Sequence, residues 1–299
     1  MLEEVKNYYG NKKMFRRYLF FAVIAFIIIL QFVGNKKGFI IHDKNINFAG
    51  EVMPTNGEYF FNQERFDREV ALSKINAPQF VMIYKRQNQY LPYIENQLKK
   101  ADLPDDLKYI AIIESALRDN IVSSAGAGGI WQFMPGTAKK YGLKINNFVD
   151  ERFDFEKSTI AATKYFKDLY KEFGDWNLVA AAYNRGENGL QRDIQSESTS
   201  GYYDLRLNSE TSRYVFRILA TKYLMQNIYD NFARKDLGAI YPSIKTKIIK
   251  IEKTDDLSSR AKNNGHSYYA VKRLNPRIIG NSLGTGSREI KVFTINKIQ

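Results

Sequence analysis

Glu114 lies in the run Ile112-Ile113-Glu114-Ser115-Ala116-Leu117, and a glycine-rich stretch, Gly126-Ala127-Gly128-Gly129-Ile130-Trp131-Gln132-Phe133-Met134-Pro135, follows closely. Leu107, Ile110, Glu114 and Leu117 recur at the spacing of one helical face, with Ile113 at its edge. Glu114 therefore points where leucines point. A carboxyl group on such a face loses water, and desolvation raises its pKa toward the range in which a protonated acid survives at neutral pH. That is the requirement for a general acid. The same pattern accommodates a buried glutamate paired with an arginine, or a helix rolled so that Glu114 meets water, and helical phase alone does not choose among the three. The glycines let the backbone turn tightly and approach a ligand. Trp131, Gln132, Phe133 and Met134 then offer flat apolar area and one amide, which suits a sugar, or equally the entry of a glycine loop into an ordinary apolar helix.

Composition narrows the chemistry. The chain has 299 residues, no cysteine and two histidines, His42 and His266. A disulfide framework, a thiolate nucleophile and a cysteine metal site are excluded, and a histidine metal centre or a Ser-His-Asp triad is poorly supported. Carboxyl, hydroxyl, amide and aromatic groups remain, and neither cofactor nor metal is expected. Hydrophobic content of 44% with 14% aromatic residues argues for a packed core. The net charge of +13 is uneven: 7 Lys and Arg against 2 Asp and Glu over residues 1–37, 26 against 26 over 38–243, and 12 against 4 over 244–299. A nucleic-acid binder concentrates basic residues on its central fold, so that class is disfavoured. The basic C-terminal part fits an anionic surface or a plain solvated face.

The elements that must position Glu114 follow from local signals. Pro104-Asp105-Asp106 opens a helix over Asp105 to Leu117. Helical patterns also cover Phe66 to Ile75, Phe80 to Lys100, Pro135 to Tyr141, Trp176 to Tyr183 and Glu210 to Phe232, and Ser158 is placed to cap a helix that ends at Gly174. Residues 61–243 thus read as an all-α domain. After Tyr241-Pro242 the texture becomes strand, helix, helix, strand over residues 244–299, a small α/β module. Residues 35–60, with Asn45, Asn47, Gly50, Pro54, Asn56 and Gly57, read as a polar linker. Leu19 to Val33 is almost wholly apolar and follows Lys12, Lys13, Arg16 and Arg17. Residues 1–34 therefore read as a cytoplasmic basic flank and an uncleaved inner-membrane anchor, which places the remainder in the periplasm; a cleaved signal peptide is the rival.

Four ordered motifs carry a resemblance. Glu114-Ser115, then Ser123 with Gly126-Ala127-x-Gly129-Ile130-x-Gln132-x-Met134-Pro135-x-Thr137-Ala138, then Ala182-Tyr183-Asn184-x-Gly186, then Glu210-Thr211-x-x-Tyr214-Val215 resemble those of the family 1 (SLT-type) lytic transglycosylases, which cleave peptidoglycan. Asp150-Glu151-Arg152-x-Asp154-x-Glu156-Lys157-Ser158 and Phe173-Gly174-Asp175-Trp176 look closest to the membrane-bound D-type branch, and the likeness spans roughly residues 75–235. It implies a mainly α protein with a lysozyme-like catalytic domain, peptidoglycan glycan strands as partner, and Glu114 as sole acid and base. Such an enzyme cleaves the bond from N-acetylmuramic acid to N-acetylglucosamine and forms a 1,6-anhydro ring. By matched position, Ser123, Gln132, Met134, Tyr183 and Asn184 line glycan subsites, with Glu210 and Tyr214 nearby. Ser124, Arg185 and Asn188 depart from the family pattern in its loops. Glu210 is the other carboxylate to weigh, its plain alternative being a salt bridge to Arg213 or Arg217; Asp150, Glu151 and Asp154 read as caps and surface pairs.

Asp256-Leu257-x-x-x-Ala261 and Tyr269-x-x-x-x-Leu274-Asn275-Pro276 are similar to a LysM glycan-binding module, with Lys253-Thr254-Asp255-Asp256 in place of the usual Gly-Asp-Thr turn. A structural role for this module is as well supported as glycan binding. Two further functions remain open on the residues: a hydrolytic muramidase that uses Glu210 as a second carboxylate, and a non-catalytic wall-binding protein.

Overall fold

The computed structural model describes residues 45–199, 201–251, 256–283 and 289–294. The predicted anchor at 19–33, His42 and the Lys253-Thr254-Asp255 turn lie outside the described residues. Among those described, no helix is long and apolar enough to cross a membrane.

The chain enters through a hairpin of two short strands, β1 (Asn47–Phe48) and β2 (Glu51–Val52), turned by Ala49 and Gly50 with φ of 54° and 89°. Positive φ at both central residues gives the turn whose twist matches a two-residue hairpin. Phe48 is fully buried and Met53 nearly so; burying a side chain of the Phe type contributes about 1.5–3 kcal/mol. The Ala49 N–H donates to the Asp106 carboxylate at 2.7 Å, and Lys222 Nζ donates to Asp106 at 2.6 Å and to the Asn47 carbonyl at 2.9 Å. The described part of the predicted 35–60 linker is thus fastened to the body, because its few apolar residues find a core.

The body is helical: α1 (Phe61–Ile75), α2 (Ala77–Lys100), α3 (Lys108–Ser115), α4 (Pro135–Lys140), α5 (Phe155–Phe173), α6 (Trp176–Arg185), α7 (Glu187–Glu197), α8 (Thr211–Gln226) and the short α9 (Ile228–Asn231) and α10 (Arg234–Leu237). α8 is the core helix, burying Tyr214, Val215, Phe216, Ile218, Leu219 and Leu224, and α1, α3 and α6 pack against it. α6 is apolar almost all round, as a helix enclosed by others must be. Its N-terminus receives the Glu51 carboxylate, which accepts from the N–H groups of Trp176 (2.7 Å) and Asn177 (3.0 Å), a favourable placement of negative charge against unpaired amides.

Several boundaries differ from expectation. The helix predicted to start at Ser158 starts at Phe155, because Asp154 accepts from the Lys157 N–H and caps it; Ser158 is buried inside the helix. The predicted Glu210–Phe232 helix breaks at Asn227. α7 follows Gly186 directly and had no counterpart in the sequence reading, since a glycine at φ 82° lets two helices abut without a loop.

Among the described residues after 243 the order is strand, helix, helix, strand, as the alternation predicts: β3 (Thr246–Lys250), α11 (Leu257–Asn263), α12 (Tyr268–Leu274) and β4 (Glu289–Phe293), with β3 and β4 antiparallel and Thr246 opposite Phe293. Leu257, Ala261, Val271, Ile278, Ile290 and Val292 form a separate small core. The module is nonetheless one unit with the helical body. The Asp150 N–H donates to the Arg277 carbonyl at 2.8 Å, the Ile279 N–H donates to the Phe148 carbonyl at 2.8 Å, and the Arg277 guanidinium pairs with Asp154 at 3.1 Å.

Candidate active site

Glu114 sits in the last turn of α3. The backbone then departs abruptly: Ala116 and Leu117 both adopt left-handed φ, 52° and 57°. Neither residue favours that region, and consecutive examples mark a segment held in strain by its surroundings. Arg86 contributes by donating to the Ala116 carbonyl at 3.1 Å, and Ala116 and Leu117 are buried. This sharp exit ends the helix beside Glu114 and leaves its carboxyl at the edge of the core, where some of the residue meets solvent but the carboxyl is surrounded by protein on most sides.

The Tyr214 hydroxyl, from α8, donates a hydrogen bond to Glu114 Oε1. Desolvation lifts the Glu114 pKa from near 4.5 to about 7; the Tyr214 bond and the Arg217 charge oppose the rise, and the charge of Glu210 adds to it. Desolvation is the largest cause, so the packing of α3 on α8 is what keeps a proton on this acid. Arg217 also donates to the Ile113 carbonyl at 3.2 Å, tying α8 to the turn that carries Glu114. The buried-arginine alternative for Glu114 is replaced by a phenol: Tyr214, whose own pKa is raised well above its ordinary value by burial and by Glu114.

Beside this pair, the Tyr183 hydroxyl donates to the Trp131 carbonyl at 2.6 Å, while its ring packs against Phe133, Tyr165 and Phe166. Asn184 is fixed at both ends of its amide: Oδ1 accepts from Thr211 Oγ1 at 2.8 Å, and Nδ2 donates to Glu210 Oε1 at 3.1 Å. Glu210 is exposed at the start of α8. The predicted alternative of a salt bridge from Glu210 to Arg213 or Arg217 is not formed: Arg213 binds Glu69 in a bidentate pair at 2.7 and 2.9 Å, a better partner because it is buried and matched in shape.

The glycine stretch is a tight loop closed on itself. Ser123 Oγ accepts from the Ala127 N–H at 3.0 Å, and Gly128 and Phe133 exchange backbone hydrogen bonds at 3.0 and 3.1 Å. Gln132, at φ 48°, turns its amide inward to the Gly129 carbonyl at 2.7 Å. Trp131 and Phe133 are buried, with Trp131 Nε1 donating to Thr159 at 3.0 Å, so of the two readings of this stretch they take the core one and not that of a sugar-binding face. Met134 is exposed just before α4. Ser123, Gln132 and Met134 thus share one loop, while Glu114, Tyr183, Asn184, Glu210 and Tyr214 come together from α3, α6 and α8.

What local sequence missed is the support of that loop. Arg152, buried, makes three side-chain hydrogen bonds to the Asp150 carboxylate (Nε at 3.0 and 3.1 Å, Nη2 at 2.7 Å) and donates to the carbonyls of Gly126 (2.6 Å) and Phe133 (3.2 Å). A Cβ on Gly129 would lie 1.9 Å from the Arg152 carbonyl, so only glycine fits. Asp150, Glu151 and Asp154 are buried rather than surface acids, each bound to a cation: Arg152, Lys157 and Arg277. A dense run of acids and bases is the same in sequence whether solvated or buried, and only tertiary contact separates the two. Among the described residues no group of three His, Cys, Asp or Glu is placed to hold a metal ion.

Known proteins share this central region. Membrane-bound lytic murein transglycosylase D of Escherichia coli (strain K12) is 38% identical over 147 residues, 48% of this chain and 32% of that protein. Soluble lytic murein transglycosylase of the same strain is 28% identical over 138 residues, 43% of this chain and 20% of that protein. The chain therefore spans about a third or less of the length of these relatives. The crystal structure of the 70 kDa soluble lytic transglycosylase from Escherichia coli aligns over 72% of this chain and 43% of its own, at 18% identity and a TM-score of 0.41. Residues 92–205, which include Glu114, the glycine loop, Tyr183 and Asn184, match the family model of the transglycosylase SLT domain.

Proposed function

We propose that the protein is a peptidoglycan lytic transglycosylase that uses Glu114 as its single acid and base. The observation that carries this is the Glu114 carboxyl itself: it is desolvated, with a pKa of about 7, and hydrogen-bonded by Tyr214. A carboxyl poised there gives up and regains a proton with little driving force either way, which suits a group that must act twice. In the first step its proton goes to the oxygen linking N-acetylmuramic acid to N-acetylglucosamine. Positive charge develops at the anomeric carbon, and the carboxylate left behind is held by Tyr214 and by the nearby Arg217 charge. In the second step that carboxylate takes the proton of the muramoyl C6 hydroxyl as its oxygen attacks the anomeric carbon. The product is a 1,6-anhydro ring, and no water is consumed. Ser123, Gln132, Met134, Tyr183 and Asn184 line the glycan groove in this reading, with Asn184 Nδ2 already oriented by Glu210 and Tyr183 fixing the loop through Trp131.

A hydrolytic muramidase would activate water with a second carboxylate. Glu210, exposed and engaged by Asn184, is the candidate for it. Product mass separates the two, since anhydro ends are lighter than hydrolysed ends by one water. Mass spectrometry of digested sacculi should show anhydro ends; reducing muramic acid ends alone would overturn the transglycosylase mechanism. A non-catalytic wall-binding protein would release nothing, with or without Glu114.

The enzyme acts in the cell envelope in this reading, held to the inner membrane by residues 19–33 and facing the periplasm, with the C-terminal module of LysM type.

A further inference from the structure

Between α10 and β3 the chain runs as an irregular strap. Every residue from 238 to 248 is exposed, yet the backbone is fastened. The Tyr241 N–H donates to the Lys85 carbonyl at 2.8 Å, Gln89 Nε2 to the Pro242 carbonyl at 3.3 Å, and the Thr294 N–H to the Lys245 carbonyl at 3.1 Å. The strap is held in place while its side chains stay accessible. β3, which continues it, pairs with β4 along one edge, and among the described residues its other edge is open. Successive side chains of a strand point to opposite faces, so both rows border that open edge.

This segment is basic and apolar at once. Over residues 234–250 the exposed Arg234, Lys235, Lys245, Lys247 and Lys250 stand against Asp236, five cations to one acid. Elsewhere in the C-terminal module Arg273, Arg277 and Lys291 are neutralised by Asp119, Asp154 and Glu156, whereas among the described residues Lys245, Lys247 and Lys250 enter no ion pair. Interleaved with the lysines are Ile240, Tyr241, Ile244 and Ile248, which are 39%, 36%, 39% and 62% exposed. Lysines on an open edge guard it against pairing with another strand. Large apolar side chains beside them do the opposite, so edge protection does not account for the composition. A second copy of the chain is a poor occupant, because two such edges would set like charges against each other. A soluble polyanion would use the charges and leave the apolar side chains in water. An anionic bilayer surface takes both, with apolar side chains at the acyl boundary and lysine stems carrying their charge up to the headgroups.

We propose that residues 240–250 dock on anionic phospholipid, as a membrane contact separate from residues 19–33 and from the groove at Glu114. Ile240, Ile244 and Ile248 enter the boundary between headgroups and acyl chains, and Lys245, Lys247 and Lys250 meet the phosphates. Each basic side chain near such a surface strengthens binding about fivefold, so three lysines with a few apolar contacts make a reversible dock and not an anchor. Because the module is tied to the helical body through Arg277 and Asp154, a docked strap fixes how the groove at Glu114 faces relative to the membrane. The proposal builds on the placement at the inner membrane given above, and the experiment keeps the two apart.

The chain has no cysteine, so Ile248→Cys gives a single attachment point for an environment-sensitive fluorophore, and Ile75→Cys, at an 80% exposed position on α1, gives a control. The full-length labelled chains are placed in nanodiscs of phosphatidylcholine alone and of phosphatidylcholine with about one-third phosphatidylglycerol, an anionic lipid. Emission from position 248 should shift to shorter wavelength in the anionic discs only, and position 75 should not respond. The shift should vanish at high salt, which screens the headgroups, and in Lys245→Gln/Lys247→Gln/Lys250→Gln. Should that variant lose its fold, the salt arm decides alone. No shift in anionic discs, an equal shift at position 75, or a shift that survives both salt and the glutamines overturns the proposal. So does a shift on adding inorganic polyphosphate to phosphatidylcholine discs, which would assign the strap to a soluble polyanion. A chain that enters neither disc sinks the anchor at 19–33; added then to anionic vesicles, the same label still reads the strap.

Discussion

At the residue scale, a single carboxyl links packing to chemistry. Glu114 ionises near pH 7 in the fold and near 4.5 when exposed, so between those values the folded state binds more protons than the unfolded state. Stability must therefore fall as pH rises from about 4.5 to about 7, by roughly 3 kcal/mol, and stay lowered above that. Glu114→Gln removes this dependence: denaturant midpoints should be similar for the two proteins at pH 4.5 and clearly higher for the variant at pH 8. Glycan release should meanwhile drop by about 10²–10⁴-fold or more, the usual contribution of a general acid or base. Equal midpoints at pH 8 would mean that Glu114 is not desolvated. Tyr214→Phe tests the partner. Its hydroxyl holds the Glu114 pKa down, so without it the limb of the pH-rate profile that reports loss of the acid's proton should move to higher pH. Helical phase put Glu114 on the face shared by Leu107, Ile110 and Leu117, since that depends on neighbours within ten residues, but it left a rolled helix and an arginine partner open, and packing on α8 made the choice. The identity of its partner was not readable that way, because Tyr214 lies a hundred residues downstream.

At the scale of elements, the glycine loop depends on a buried arginine more than on its own flexibility. Gly129→Ala would drive a methyl group into the Arg152 carbonyl at a backbone angle, φ 78°, that alanine resists. The expected loss is about 3 kcal/mol or more, from overpacking and strain together. Gly126 has a comparable angle, φ 86°, but open space around the added methyl, so Gly126→Ala should cost only about 1 kcal/mol. Urea denaturation of the two variants gives the comparison, and equal losses would show that the Arg152 contact is not what selects glycine. The strand, helix, helix, strand order of the C-terminal module was legible because alternation and turn residues are local. The start of α5 was not, since Ser158 and Asp154 both qualify as caps and the choice falls to Asp154 once its carboxylate is near the Lys157 N–H. The hairpin at 47–52 was obscured in the same way: its polar composition reads as a linker until Phe48 finds the core.

At the scale of the whole molecule, the C-terminal module is part of the frame that supports the candidate site. Arg277 and Asp154 form an ion pair in which both side chains are about nine-tenths buried, and the Arg277 carbonyl also receives the Asp150 N–H. Asp150 in turn orients Arg152, which grips both ends of the glycine loop. A glycan-binding arm on a tether would behave differently from this arrangement. Removing one member of a buried pair leaves the other charge stranded, at about 3–5 kcal/mol, whereas replacing both by apolar groups is often nearly neutral. Arg277→Met should therefore lower the unfolding midpoint and, at temperatures where the variant remains folded, reduce kcat on short soluble glycan fragments with little change in KM. Asp154→Leu added to Arg277→Met should restore part of the stability, short by the roughly 1 kcal/mol of the α5 cap that Asp154 also supplies, and part of kcat, because the backbone bond from Asp150 survives in the double variant. A tethered arm predicts the opposite signature: a higher KM on sacculi, unchanged kcat, and no coupling between the two positions in the double-mutant cycle.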